Sequence, residues 1–185
     1  PADFCLVCNK IMLENPHTFL MKTGSNSELK QGSTVKIYID ADGCPVVDIA
    51  EKIAGKHNVP CIILCDTSHR IERGNVRTII VDKGADSVDL RLVNLLEKGD
   101  IAITQDYGLA AMCLAKGAYA INQDGKEYTS DNISGLLEFR AIHKKIRRSG
   151  GHFKGMPKRT EAQDKAFEKA FDELVCHVTE LFNGR

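Results

Sequence analysis

The chain has no surplus of charge of either sign: its lysines and arginines equal its aspartates and glutamates, and the formal net charge is zero. Net charge therefore says nothing about a polyanionic partner, and only the placement of the charges can. No apolar run approaches the roughly 18 residues of a membrane span, and no internal repeat or low-complexity tract is present. Cysteine does not occur in the even number of a disulfide framework. The seven cysteines include Cys61 and Cys65 within the apolar run Pro60 to Cys65, where a reduced thiol acts as a small hydrophobe. These features predict a protein of the reducing cytoplasm. What remains is an ordinary globular composition, 43% hydrophobic and 27% charged, of a length suited to one core with an attached arm.

The first 34 residues show no sustained period and end in a Gly, Ser and Asn-rich stretch, Thr23 to Ser33. They read as a flexible extension or linker, with Met21 as a natural start, and residues 35–182 as a single domain. Cys5 and Cys8 stand at zinc-knuckle spacing with His17 beyond, but a fourth ligand is lacking, so the pair reads as incidental.

From Val35 the pattern alternates. Strands are expected at Val35 to Ile39, Pro60 to Cys65, Val76 to Val81, Asp100 to Thr104 and Ala118 to Ile121. Helices are expected at Val46 to His57, Val88 to Glu97, capped by Asp86 or Ser87, and Tyr107 to Lys116. After a turn at Asp124-Gly125, a helix capped by Ser130 or Asp131 runs to about Arg148. A last helix opens with a capping box, Thr160 to Gln163, and carries Phe167, Phe171, Leu174, Val178 and Leu181 along one stripe. Strands alternating with helices imply a three-layer α/β fold with a mostly parallel sheet; the common strand order for such a sheet is 3-2-1-4-5.

Acidic residues fall where such a sheet binds ligands. The segment Ile37-Tyr-Ile-Asp-Ala-Asp-Gly-Cys-Pro45 ends a strand directly in Asp40 and Asp42, and Ile101 to Asp106 ends another in Asp106. Asp86 and Asp89 open the helix between them. Alone, Asp40 reads equally as a helix cap and Asp42 as a turn residue. With order 3-2-1-4-5, however, strands one and four are neighbours at the point where strand order reverses, and Asp40, Asp42 and Asp106 converge there. Crowded carboxylates raise one another's pKa or demand a cation. An all-oxygen set suits Mg²⁺ or Mn²⁺ better than zinc. Asp82 is a weaker candidate, and Cys44, without a histidine to activate it, reads as a small residue before Pro45.

Several of these stretches together resemble the bacterial YaiI/YqxD family: Asp-Ala-Asp-Gly-Cys-Pro-Val from Asp40, Lys-Gly-Ala-Asp-Ser-Val-Asp-Leu from Lys83, Thr-Gln-Asp-Tyr-Gly-Leu-Ala from Thr104, Lys116-Gly-Ala, Asp131-Asn132-Ile133 and Arg-Ser-Gly-Gly from Arg148. The resemblance covers about Val35 to Leu174, and departs at Met156, where proline is expected after Gly155. That family is similar to PIN and NYN ribonuclease domains, which implies a PIN-like fold and strand-end acids that hold Mg²⁺ or Mn²⁺ for phosphodiester cleavage. Carried over by position, Asp40 and Asp106 match the strand-end acids, Asp86 or Asp89 the helix-borne one, and Asp42 the family's own motif.

The expected function is therefore metal-dependent hydrolysis of RNA, with Asp40, Asp42 and Asp106 catalytic, the cation polarising the phosphate and activating water, and Thr104 orienting a ligand or water behind them. Arg140, Lys144, Lys145, Arg147, Arg148 and Lys154 lie in a stretch to Arg159 without an acid. They read either as phosphate-binding groups or as cations favoured at a helix C-terminus. His69, Arg70 and Arg73 would extend the same surface. Two other functions stay open. Ile-Asp-Ala-Asp-Gly also resembles the first motif of haloacid-dehalogenase phosphatases, with Asp40 as nucleophile and Asp42 as acid/base, although Cys44 replaces the usual Thr or Val. The non-enzymatic reading is an RNA-binding module with a structural cation.

Overall fold

A computed structural model describes residues 34–42, 44–67, 76–82, 87–149 and 158–184. The expectations for residues 1–33, for Asp86, for His69, Arg70 and Arg73, for Lys154 and for the loop around Met156 lie outside them.

The sequence Ile37-Tyr38-Ile39 is apolar without a break because both faces of its strand are covered. Strand β1 (Ile37–Asp40) sits at the centre of a six-stranded sheet, with β2 (Cys61–Asp66) on one side and β4 (Ile101–Ile103) on the other. Beyond these lie β3 (Arg77–Val81), β5 (Tyr119–Ile121) and β6 (Glu127–Tyr128), giving the order β3-β2-β1-β4-β5-β6. The first five strands are parallel and β6 pairs antiparallel with β5. The predicted order is thus found, with one strand added. Glu127 and Tyr128 form a two-residue strand, too short to show a period of two, and Asp124-Gly125 proves to be the bend of a β-hairpin. Gly125 has φ +78°, and a Cβ there would stand 3.0 Å from the Ala166 carbonyl oxygen and the Ala170 methyl.

Helices cover both faces. Ile37, Ile39, Ile63, Ile101, Ile103 and Ile121 point to a layer formed by α1 (Val47–Lys56) and α5 (Glu161–Asn183), where Ala50, Ile53, Phe167, Phe171 and Val175 complete the core. Tyr38, Leu64, Ala102 and Ala120 point the other way, against Val88 and Leu92 of α2 (Ser87–Leu95) and Leu109, Ala110 and Cys113 of α3 (Tyr107–Ala115). Burying each large apolar side chain contributes about 1.5–3 kcal/mol, so the unbroken apolar run of β1 favours a position covered on both faces. The remaining helix, α4 (Ile133–Arg148), packs Ile133 and Leu136 on the second core but buries none of its residues fully.

Several ends differ from expectation for local reasons. The capping box at Thr160 and Gln163 is formed. Helix α4 is capped at Asn132 rather than Ser130 or Asp131, because a Thr129–Asn132 turn comes between: the Asn132 amide donates to the Glu127 carbonyl, and its carbonyl accepts from the Thr129 N–H. Val46, expected to open the first helix, is its cap residue, and Pro45 immediately precedes it. Leu181 is 43% exposed near the end of α5, past the edge of the core. Among the described residues no helix is long and apolar enough to cross a membrane.

Candidate active site at the carboxyl edge of the sheet

Asp40 follows Tyr38 on the same face of β1, so its carboxylate emerges at the carboxyl end of the strand on the α2 and α3 side. Strands β1 and β4 are neighbours, and from them the chain runs outward in opposite directions. This is the switch point at which open parallel sheets place their ligands.

Thr104 links the two strand ends. Its hydroxyl donates to Asp40 Oδ2 at 2.7 Å and accepts from the Asp106 N–H at 3.1 Å. The threonine itself is buried, and the Tyr128 hydroxyl donates to its carbonyl at 3.3 Å. A single side chain therefore fixes the Asp40 rotamer and the start of the loop that carries Asp106.

The environments of the two acids diverge. Burial pushes the Asp40 carboxyl up to about 6; the Thr104 hydroxyl and the Asp42 N–H oppose the rise, while the charges of Asp89 and Asp42 add to it. For Asp106 burial also raises the pKa, but this is outweighed by the Arg140 guanidinium and by the Gly108 and Leu109 N–H groups, which hold the carboxyl below the usual carboxylate range. These donors lie at 2.7, 2.6 and 3.2 Å from Asp106 Oδ1. Asp106 is thus the N-cap of α3 and the ion-pair partner of Arg140 from α4.

Asp42 is exposed in the turn after β1 and accepts from the Asp66 N–H at 3.2 Å, which ties the β1 and β2 ends together. Asp89, half-buried in the first turn of α2, lies close enough to act on Asp40 and Arg140. Asp82 is exposed past β3, two strands away from β1. Cys44 stands near Asp40, and its thiol is pushed up to about 11, chiefly by burial; it remains protonated at neutral pH and is no nucleophile.

The structure therefore brings Asp40, Asp42 and Asp89 into one electrostatic neighbourhood and joins Asp106 to it through Thr104. Among the described residues no group of three or more His, Cys, Asp or Glu side chains is gathered closely enough to hold a metal ion. Cation occupancy with one or two carboxylates is compatible with this finding, because Mg²⁺ commonly takes its other ligands from water and substrate phosphate. The side chains that act on Asp40, those of Thr104, Asp42 and Asp89, all offer oxygen, and the nearby Cys44 stays a neutral thiol. In chemical terms the site suits a hard divalent cation.

The basic stretch divides. Arg140 is at the site. Lys144, Lys145, Arg147 and Arg148 are exposed along the last turns of α4. Arg159, only 18% exposed, bonds Asp164, Asp124 and the Gln123 carbonyl, pinning the β5–β6 hairpin to the start of α5. Arg140 pairs with an acid 34 positions away, a partnership that no local spacing announces; the one clue is that Arg140 opens the basic stretch.

The chain matches a family model described as an uncharacterized YaiI/YqxD family over residues 38–177. It is 50% identical to a UPF0178 protein of Clostridium acetobutylicum over 143 residues, 76% of this chain and 97% of that one. A UPF0178 protein of Exiguobacterium sibiricum is 44% identical over 146 residues, 79% of this chain and 100% of that one. A third, of Ruminiclostridium cellulolyticum, is 49% identical over 136 residues, 74% of this chain and 89% of that one. No solved structure matches. The chain belongs to the YaiI/YqxD family.

Proposed function

We propose that this protein is a ribonuclease that depends on Mg²⁺ or Mn²⁺, cleaving phosphodiesters by attack of water, with Asp40 as its central group. The observation that carries the reading is Asp40 itself. It is a mostly buried carboxyl at the ligand-binding edge of the sheet, its pKa raised by burial and by two neighbouring acids. Near neutral pH such a group is ionised only against an electrostatic penalty, which a divalent cation would remove.

Asp40 and Asp42 would hold the cation, and Asp89 deepens the negative potential around it. When bound, the ion supplies Lewis-acid polarisation of the phosphate and a lowered pKa for water. Thr104 keeps Asp40 in one rotamer. Asp106, kept ionised, fixes the Arg140 guanidinium at the mouth of the site, where it can donate to a phosphate oxygen as a second partner. Lys144, Lys145, Arg147 and Arg148 neutralise the phosphates that follow. The resemblance to PIN and NYN ribonucleases points the same way. Cytoplasmic residence fits as well, since the described cysteines Cys44, Cys61, Cys65, Cys113 and Cys176 are free thiols.

The test is cleavage of an end-labelled RNA with Mg²⁺ or Mn²⁺, with chelator as control. The wild type is expected to cleave only with metal, Asp40→Asn to lose at least about 100-fold in rate, and beryllium fluoride to leave the reaction uninhibited, since no aspartyl-phosphate forms. Cleavage by Asp40→Asn at the wild-type rate, or no cleavage by the wild type, would overturn the reading. Inhibition by beryllium fluoride would favour a covalent phosphatase instead.

A further inference from the structure

Helix α4 carries more apolar surface outward than inward. Phe139, Ile142 and Ile146 are 54%, 56% and 40% exposed. Their spacing of three and four residues sets them along one flank. The Phe139 and His143 rings lie against each other there, centroids 4.0 Å apart and planes tilted 42°. Lys144, Lys145, Arg147 and Arg148 stand exposed in the last turns of the same helix, with Arg147 beside that flank, and Glu138 is the only acid in the helix. Arg140, next to Phe139 in the chain, holds Asp106 at 2.7 Å, so the flank adjoins the acidic edge of the sheet.

We propose that this flank binds single-stranded nucleic acid, with unpaired bases stacking on Phe139 and His143 and the flanking cations meeting the backbone. The proposal rests on the nuclease reading for its orientation toward Asp40, but the binding itself needs no metal. Charge complementarity selects the partner: the helix presents exposed aromatic and aliphatic side chains next to basic last turns, and an unpaired strand offers flat apolar base faces on a negative backbone. A duplex hides those faces in its own stack and would meet only the cations. A lipid surface fits less well, because the first two turns of α4 spend Ile133 and Leu136 on the core and anchor Arg140 at Asp106, leaving a short apolar face where an interfacial helix needs a long one.

The experiment measures, by fluorescence anisotropy in chelator with the full chain, binding of a single-stranded adenylate RNA of about twelve nucleotides, a length within the usual single-strand site sizes, and of its duplex with uridylate. Phe139→Ala is expected to weaken the single strand about 5- to 100-fold, the effect of losing one stacked base. The duplex affinity and the salt dependence of both should not move, and Phe139→Trp should restore single-strand binding. Equal loss for strand and duplex, no loss, or no single-strand binding by the wild type would overturn the proposal. So would Phe139-dependent binding to phosphatidylserine vesicles in place of RNA. Wild-type protein that binds the strand but never cleaves it would sustain this surface while overturning the nuclease reading. Cleavage with strand affinity unaffected by Phe139→Ala would do the reverse.

Discussion

Asp40→Asn should make the metal-free protein more stable, and only at higher pH. Burial, reinforced by Asp89 and Asp42, holds the folded pKa at about 6 against an ordinary 3.8. Between those two values the folded state binds the proton that the unfolded state has released, so stability falls as pH rises through the window. Below it Asp40 is protonated in both states and carries no penalty. Above it the full gap applies, worth up to about 3 kcal/mol at about 1.4 kcal/mol per pH unit. Asparagine keeps an acceptor for the Thr104 hydroxyl but has one fewer for the Asp42 N–H, a loss of about 1 kcal/mol. The variant should therefore gain about 2 kcal/mol near pH 8 and be slightly less stable than wild type, by up to about 1 kcal/mol, near pH 4. For a chain of this length that gain is a rise of about 4–8 °C in Tm. Urea unfolding of both proteins at the two pH values, in chelator, reads the difference directly. A variant less stable than wild type near pH 8, or a difference independent of pH, would refute the claim that Asp40 is held against its charge.

Thr104→Val removes the hydroxyl that donates to Asp40 and accepts from Asp106; unfolding should show a loss of about 2–3 kcal/mol, with the acid window of Asp40 moving higher still. Phe171→Ala removes a fully buried ring stacked on Phe167 at 5.3 Å and should cost about 3–5 kcal/mol in the same assay. Gly125→Ala should cost about 1–2 kcal/mol from its left-handed backbone alone, and more if the Ala166 carbonyl and Ala170 cannot yield; calorimetric Tm measures it.

The central part of the fold was legible because its signals are local and strong. Ile37, Tyr38 and Ile39 alternate between two cores, Thr160 and Gln163 cap a helix reciprocally, and the helix–strand succession leaves few topologies for the sheet. Asp40 stood out because it follows an apolar strand directly. What escaped depends on distant partners. The two residues of β6 are a strand only because β5 offers them an edge. Arg159 has an ordinary solvent-facing sequence context, yet it is tied down by Asp164 five residues on and Asp124 thirty-five back. Asp106 was expected beside Asp40 as a ligand; the residue does adjoin it through Thr104, but its carboxylate also serves α3 and Arg140, a competition that only the approach of α4 creates.

The most direct test of the account is a crystal structure of the protein with Mn²⁺, using the anomalous signal to locate the ion. The account predicts manganese about 2 Å from a carboxylate oxygen of Asp40, with Asp42 as a further ligand and Thr104 still bonded to Asp40. Manganese bound elsewhere with Asp40 left without an ion would contradict it.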